Sequence, residues 1–135
     1  MERQLAQPGV VHHGRVGQEE LVRDLLRAGL WVYPTHFAET SCISAMRAQA
    51  CGAVPIVCQV AALRETVQYG ARLEGEPGDI RGVEHRELFL AALLRALGDP
   101  AWQEEVRREM VPWARRTFSW TAVAKKWDER LRRGG

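Results

Sequence analysis

With 135 residues, the chain is long enough for one domain with a buried core and too short for two. Its 46% apolar and 27% charged residues are those of an ordinary soluble globular protein, and a net charge of +2 gives no general reason to expect nucleic acid or an anionic membrane as partner. The three cysteines, Cys42, Cys51 and Cys58, fit no CxxC or finger spacing, residues 1–9 are too polar for a secretory leader, and no apolar run could span a bilayer. These features predict a reduced, cytoplasmic protein with structural thiols.

Met1 to Gly9 show no clear periodicity. Val10-Val11-His12-His13-Gly14 reads as a short strand closed by glycine. Gln18 to Ala28 follows at helical spacing, with Leu21, Val22, Leu25 and Leu26 on one side and Glu19 and Glu20 in the first turn, where the dipole favours anions. Gly29 ends it, and Leu30-Trp31-Val32-Tyr33-Pro34 is a second strand. A loop over 35–40 leads into a helix predicted from Ser41 to Cys51, stopped by Gly52. Val54 to Cys58 is a third strand, with Pro55 at its start or at an unpaired edge position. A helical turn around Ala62 to Tyr69, closed by Gly70, precedes a fourth strand at Ala71 to Glu74 and a polar loop over 76–83. Strands alternating with helices through short links predict a parallel sheet, with 10–13, 30–33 and 54–58 as neighbours.

Beyond residue 84 the pattern is helical throughout. Leu88, Phe89, Ala92, Leu93 and Ala96 form one stripe. Asp99 is a predicted N-cap with Pro100 at the first helical position, and Trp102, Val106 and Met110 continue as the next helix. Ser119 is placed to cap a last helix carrying Val123, Trp127 and Leu131. The tryptophans, Trp31, Trp102, Trp113, Trp120 and Trp127, read as core or interdomain packing. The basic residues of the tail, Arg115, Arg116, Lys125, Lys126, Arg130, Arg132 and Arg133, read as a solvated helix face, the alternatives being acidic lipid or another domain.

Ligands of open parallel α/β sheets bind at the carboxyl ends of the strands. Two loops qualify: Gly14-Arg15-Val16-Gly17, and Thr35-His36-Phe37-Ala38-Glu39-Thr40-Ser41. The second runs into a helix N-terminus, whose unpaired N–H groups and positive dipole end stabilise phosphate. The small residues Thr40, Ser41 and Cys42 would let a diphosphate reach the backbone, Glu39 could accept from sugar hydroxyls, and His36 is a candidate ligand contact. The plainer alternative is that Thr40 or Ser41 caps the helix and Glu39 complements its dipole. Cys42 stands where a helix N-terminus lowers a thiol pKa, but no base neighbours it in sequence. His12 and His13 have no carboxylate or cysteine at ligand spacing, so no metal is expected.

The run Tyr33-Pro34-Thr35-x-x-x-Glu39-Thr40-Ser41-Cys42-Ile43-x-Ala45-x-x-Ala48-Gln49-Ala50-x-Gly52-x-x-Pro55-Ile56-Val57 resembles the donor-site segment of family-four retaining glycosyltransferases. The resemblance extends to Ala62-Leu63-x-Glu65-Thr66-Val67, back to His13-Gly14-Arg15-Val16 and on to Phe118-Ser119-Trp120, and is good over roughly residues 10 to 75. It implies an α/β, Rossmann-like parallel sheet with a helical C-terminal tail, the incomplete donor-binding half of a GT-B fold. The donor would be a UDP- or GDP-linked sugar, held without metal or covalent cofactor. By resemblance, Glu39 contacts the donor sugar; Thr40, Ser41, Cys42 and Ile43 lie along the diphosphate; Gly14, Arg15 and Val16 lie near the base; and His36 lines the donor loop.

Two departures follow from the same resemblance. The family's second glutamate, which holds the ribose hydroxyls, falls at Arg47, and arginine has five donors and no acceptor. The family's domain also opens with further strand–helix units carrying a basic pair for the diphosphate, and it works beside an acceptor domain; neither is found in these residues. The sequence therefore supports two functions. The first is donor binding within a complete glycosyltransferase, with the departing diphosphate stabilised electrostatically. The second is a degenerate, non-catalytic interaction module. A missing N-terminal acceptor domain or a second copy is the expected protein partner, with membrane contact unsupported. A sugar-nucleotide epimerase of the same fold is disfavoured by the Glu39 motif.

Overall fold

The computed structural model describes residues 2–75 and 82–134. Seven helices and three strands follow one another among them: α1 (Glu2–Leu5), α2 (Gln18–Arg27), β1 (Leu30–Tyr33), α3 (Ile43–Cys51), β2 (Val54–Cys58), α4 (Leu63–Thr66), β3 (Ala71–Leu73), α5 (Val83–Gly98), α6 (Pro100–Phe118) and α7 (Trp120–Arg133). The strands form a parallel sheet in the order β1-β2-β3, with Leu30 opposite Val54 and Ile56 opposite Ala71. The chain is thus mixed α/β with a helical C-terminal region. None of its described helices is long and apolar enough to cross a membrane.

β2 is the central strand and all five of its residues are buried. Alternation sends its side chains to two cores. Ile56 and Cys58 join Val60, Phe89 and Ala96 on the face covered by α5, with Leu30, Leu73 and Trp102 packed around them. Val57 joins Cys42, Ala45, Leu63 and Val67 on the other face, under Trp31 and Tyr33. Pro55 is accommodated as the sequence predicts. The Val54 N–H bonds to Gly29 on the β1 side, so the nitrogen of Pro55 faces β3, whose ladder begins only at the next residue. Gly70, at φ +88°, brings the chain past Pro55 into β3.

Helix α3 begins within two residues of Ser41, as expected, and ends at Gly52 in the left-handed conformation, the usual helix-stopping role of glycine. Helix α6 packs against it, with the Arg115 Nε donating to the Ala50 carbonyl at 3.1 Å. Gln49 is fully buried on α3, and its amide nitrogen donates to the carbonyls of Ala45 (3.1 Å) and Thr66 (2.7 Å), joining α3 to the end of α4. The Asp99 carboxylate accepts from the Trp102 N–H at 2.9 Å and the Ser119 hydroxyl oxygen from the Ala122 N–H at 3.2 Å, so both sequence-read caps are formed.

Several expectations are corrected. Residues 10–13 are not a strand and do not pair with β1; the only apolar residues there, Val10 and Val11, are exposed, no strand pairs with them among the described residues, and the Val10 N–H bonds instead to the Gln7 carbonyl at 3.0 Å. A short helix, α1, forms where no periodicity was visible. On α5, Leu88 is exposed while His85 is buried, its Nε2 3.2 Å from the Cys58 sulfur. The tryptophans divide: Trp31, Trp102 and Trp113 are half-buried, whereas Trp120 and Trp127 are exposed, as is Leu131. The polar loop expected over 76–83 lies outside the described residues except at Gly82 and Val83, where α5 begins.

Candidate functional site

The residues between β1 and α3 form a loop at the carboxyl end of the sheet. Short local bonds shape it: Thr35 N–H to the Tyr33 carbonyl (2.9 Å), Phe37 N–H to the Thr35 hydroxyl oxygen (3.1 Å) and Glu39 N–H to the Phe37 carbonyl (3.0 Å). The Ala62 N–H donates to the Glu39 carbonyl at 3.2 Å, which ties this loop to the one after β2. The Tyr33 hydroxyl donates to the Glu39 carboxylate, and the Tyr33 ring stacks on Trp31 at 5.0 Å. That bond to Glu39, then burial, raises the Tyr33 pKa and keeps the phenol as the donor. Glu39 is therefore a held, half-buried carboxylate with acceptor capacity left over. His36, Thr40, Ser41 and Ile43 are exposed beside it in the chain.

Neither Thr40 nor Ser41 sits at the cap position of α3. Cys42 does, and no side chain caps the helix. Capping by Thr40 or Ser41 is thus removed, and no side-chain hydrogen bond closes the N-terminus of α3. The reading of Cys42 as a thiol of lowered pKa is also corrected. Burial pushes it up to about 11; the amides of Ala45 and Ser44 offset part of this, and Glu39 adds to it. Cys42 is accordingly expected to resist iodoacetamide at pH 8 in the folded chain and to react readily once the chain is unfolded in urea. Mass spectrometry of the alkylated peptides checks this, and fast native labelling would contradict it. The sign for stability follows. The folded chain holds this proton more tightly than an ordinary thiol of pKa 9.0 does, so its contribution is complete below that value and is lost as pH rises through about 11.

Arg47 lies one turn beyond Ile43 on α3. Both line a cavity of about 630 Å³ between α3 and the α6–α7 junction, with Met46, Arg115, Phe118 and Trp120. The Arg47 guanidinium donates to the Gln18 side chain at the start of α2. Gly14, at φ +66°, turns the chain ahead of α2, with Arg15 exposed and Val16 half-buried. Among the described residues no hydrogen bond or ion pair joins Gly14, Arg15 or Val16 to the loop bearing Glu39. Residues 39–42 lead into α3, which carries Ile43 and Arg47, and the Arg47 bond to Gln18 links that helix to the chain two residues beyond Val16.

His13 departs from its expected isolation. Its Nδ1 lies 3.6 Å from an Asp24 carboxylate oxygen and 3.9 Å from one of Glu20. Sequence spacing hid this, because a strand at 10–13 would carry His13 away from α2, whereas the turn at Gly14 brings it back. Also unforeseen is Arg107, which bonds the carbonyls of both Gly29 and Gly52. Contacts so distant in sequence leave no local pattern. Comparison with protein-family models, curated proteins and solved structures found no match to this chain.

Proposed function

We propose that this chain binds the nucleotide diphosphate of a sugar donor at the carboxyl end of its sheet, as the donor-side part of a GT-B glycosyltransferase. The observation that carries the proposal is the uncapped N-terminus of α3, entered from a loop whose Glu39 is held by Tyr33 and by the loop after β2. Such a terminus supplies N–H donors and a positive dipole end to phosphate, while the Glu39 carboxylate supplies acceptors to sugar hydroxyls. Three parallel strands in sequential order agree with the second half of a doubly wound Rossmann-like sheet. In that arrangement the strand preceding β1 in sequence lies on the far side of the sheet, which accords with residues 10–13 having no pairing to β1.

Titration calorimetry with UDP and GDP tests the reading. Saturable binding of either is expected, and none up to millimolar concentration would sink it. Arg47 is the weak point of the site, since ribose hydroxyls require acceptors. Arg47→Glu is expected to tighten the nucleoside diphosphate at least about tenfold, the worth of one or two charge-assisted hydrogen bonds of roughly 1.5–3 kcal/mol. Weaker binding by this variant would mean that position 47 faces phosphate rather than ribose.

A second reading rests on a different observation. The last helix buries no residue and exposes Trp120, Trp127 and Leu131, an apolar face of the kind that marks interaction surfaces. On this reading the chain is a non-catalytic interaction module, and it would bind neither nucleotide.

A further inference from the structure

We propose that His13, Glu20 and Asp24 form a binding site for a divalent transition-metal ion, with zinc the best fit. Glu20 and Asp24 stand one turn apart on α2, on the face that His13 reaches from the preceding turn. One ligand atom from each residue lies within 4.8 Å of the other two.

The separations leave room for an ion between the three side chains. An imidazolium paired with a carboxylate closes to about 2.7–2.9 Å. Here the Nδ1 of His13 faces two carboxylates at 3.6 and 3.9 Å and is hydrogen-bonded to neither. With metal–ligand bonds of about 2.0–2.1 Å, tetrahedral coordination sets its ligands about 3.3 Å apart, so small side-chain rotations close this set. Octahedral magnesium would need edges of about 2.9 Å and takes oxygen ligands rather than imidazole. One nitrogen and two carboxylate oxygens suit zinc, with a fourth position left to water. The three side chains are about half exposed, so an aqueous ion reaches them.

Such an ion would also do something the polypeptide does weakly. Val10 and Val11 are exposed and α2 fully buries no residue, so little apolar packing holds residues 10–17 in place. A metal bridging His13 to α2 clamps that segment across the turn at Gly14.

The test is calorimetric titration of the full chain with zinc chloride in a non-chelating buffer, with magnesium chloride in parallel. One zinc per chain is expected, with no comparable heat from magnesium. His13→Ala and Asp24→Asn should each weaken zinc at least about tenfold, while His12→Ala leaves it unchanged. The substituted residues are not core residues, so circular dichroism should remain that of the parent. Absence of saturable zinc binding overturns the proposal, as does parental affinity in either His13→Ala or Asp24→Asn. Equal weakening by His12→Ala overturns it too, by moving the ion to the adjacent imidazole.

Discussion

Gly70→Ala is expected to destabilise the chain by about 3–5 kcal/mol. Two effects add. Gly70 has φ +88°, a conformation that costs a side-chain-bearing residue about 1–3 kcal/mol. A Cβ there would also lie 2.2 Å from the carbonyl oxygen of Pro55, which belongs to the central strand and cannot move aside as a flexible side chain would. Relief requires β2 and β3 to separate where their ladder begins, between Ile56 and Ala71. In urea the midpoint should fall by roughly 2 M, or the variant should fail to fold. Gly98→Ala is the control, because a Cβ there meets nothing within 4 Å. A Gly70→Ala chain as stable as this control would mean that β3 is not held against Pro55.

The second large effect is expected at Arg107. Its Nε donates to the Gly52 carbonyl at 2.9 Å and its Nη2 to the Gly29 carbonyl at 3.0 Å, just past the C-terminal ends of α3 and α2. A cation at helix C-termini is favoured by the dipole, and the planar fork reaches both carbonyls at once. Gln103 steadies the group at 2.8 Å. The pairing with exposed Glu104 at 3.3 Å adds little, being screened by solvent. Arg107→Met keeps the aliphatic stem but leaves the two carbonyls without this donor, at a cost of roughly 2–3 kcal/mol. Thermal unfolding should shift down by about 10 °C. Arg107→Lys should recover less than half, since an ammonium lacks the fork geometry. A shift under about 2 °C for the methionine variant would show that water replaces the guanidinium without loss.

The sequence already displayed the parts of the fold whose causes are local. Leu30–Tyr33 and Val54–Cys58 are short apolar runs bounded by Gly29, Pro34 and Gly52, and Asp99 and Ser119 cap the helices that begin beside them. Residues 10–13 misled because a strand is a relation between two segments, and two valines cannot show that a partner is present. Leu88, Trp127 and Leu131 misled for a related reason: helical spacing reveals an apolar face but not whether anything covers it. The loop between β1 and α3 was legible through Pro34 at its start and the small residues Thr40, Ser41 and Cys42 at its end. Cys42 was not, because a helix-end argument carries no information about the burial that raises its pKa to about 11. Arg107 and the approach of His13 to α2 depend on where distant segments meet.

The sequential order of the strands also bears on how the chain finds its fold. Each parallel pair is joined through a single intervening helix, so its halves meet after closing a short loop at modest entropic cost. The bond from Arg107 to Gly29 closes a separation of 78 residues. The sheet with α3 and α4 can therefore assemble from neighbouring segments, leaving the C-terminal helices to dock on a surface already made. Bonds formed after the rate-limiting step govern escape from the native state rather than arrival at it. On that ordering, the Arg107 staple chiefly sets how long the folded chain survives between openings, and β2, between its two neighbours, sets how quickly it forms.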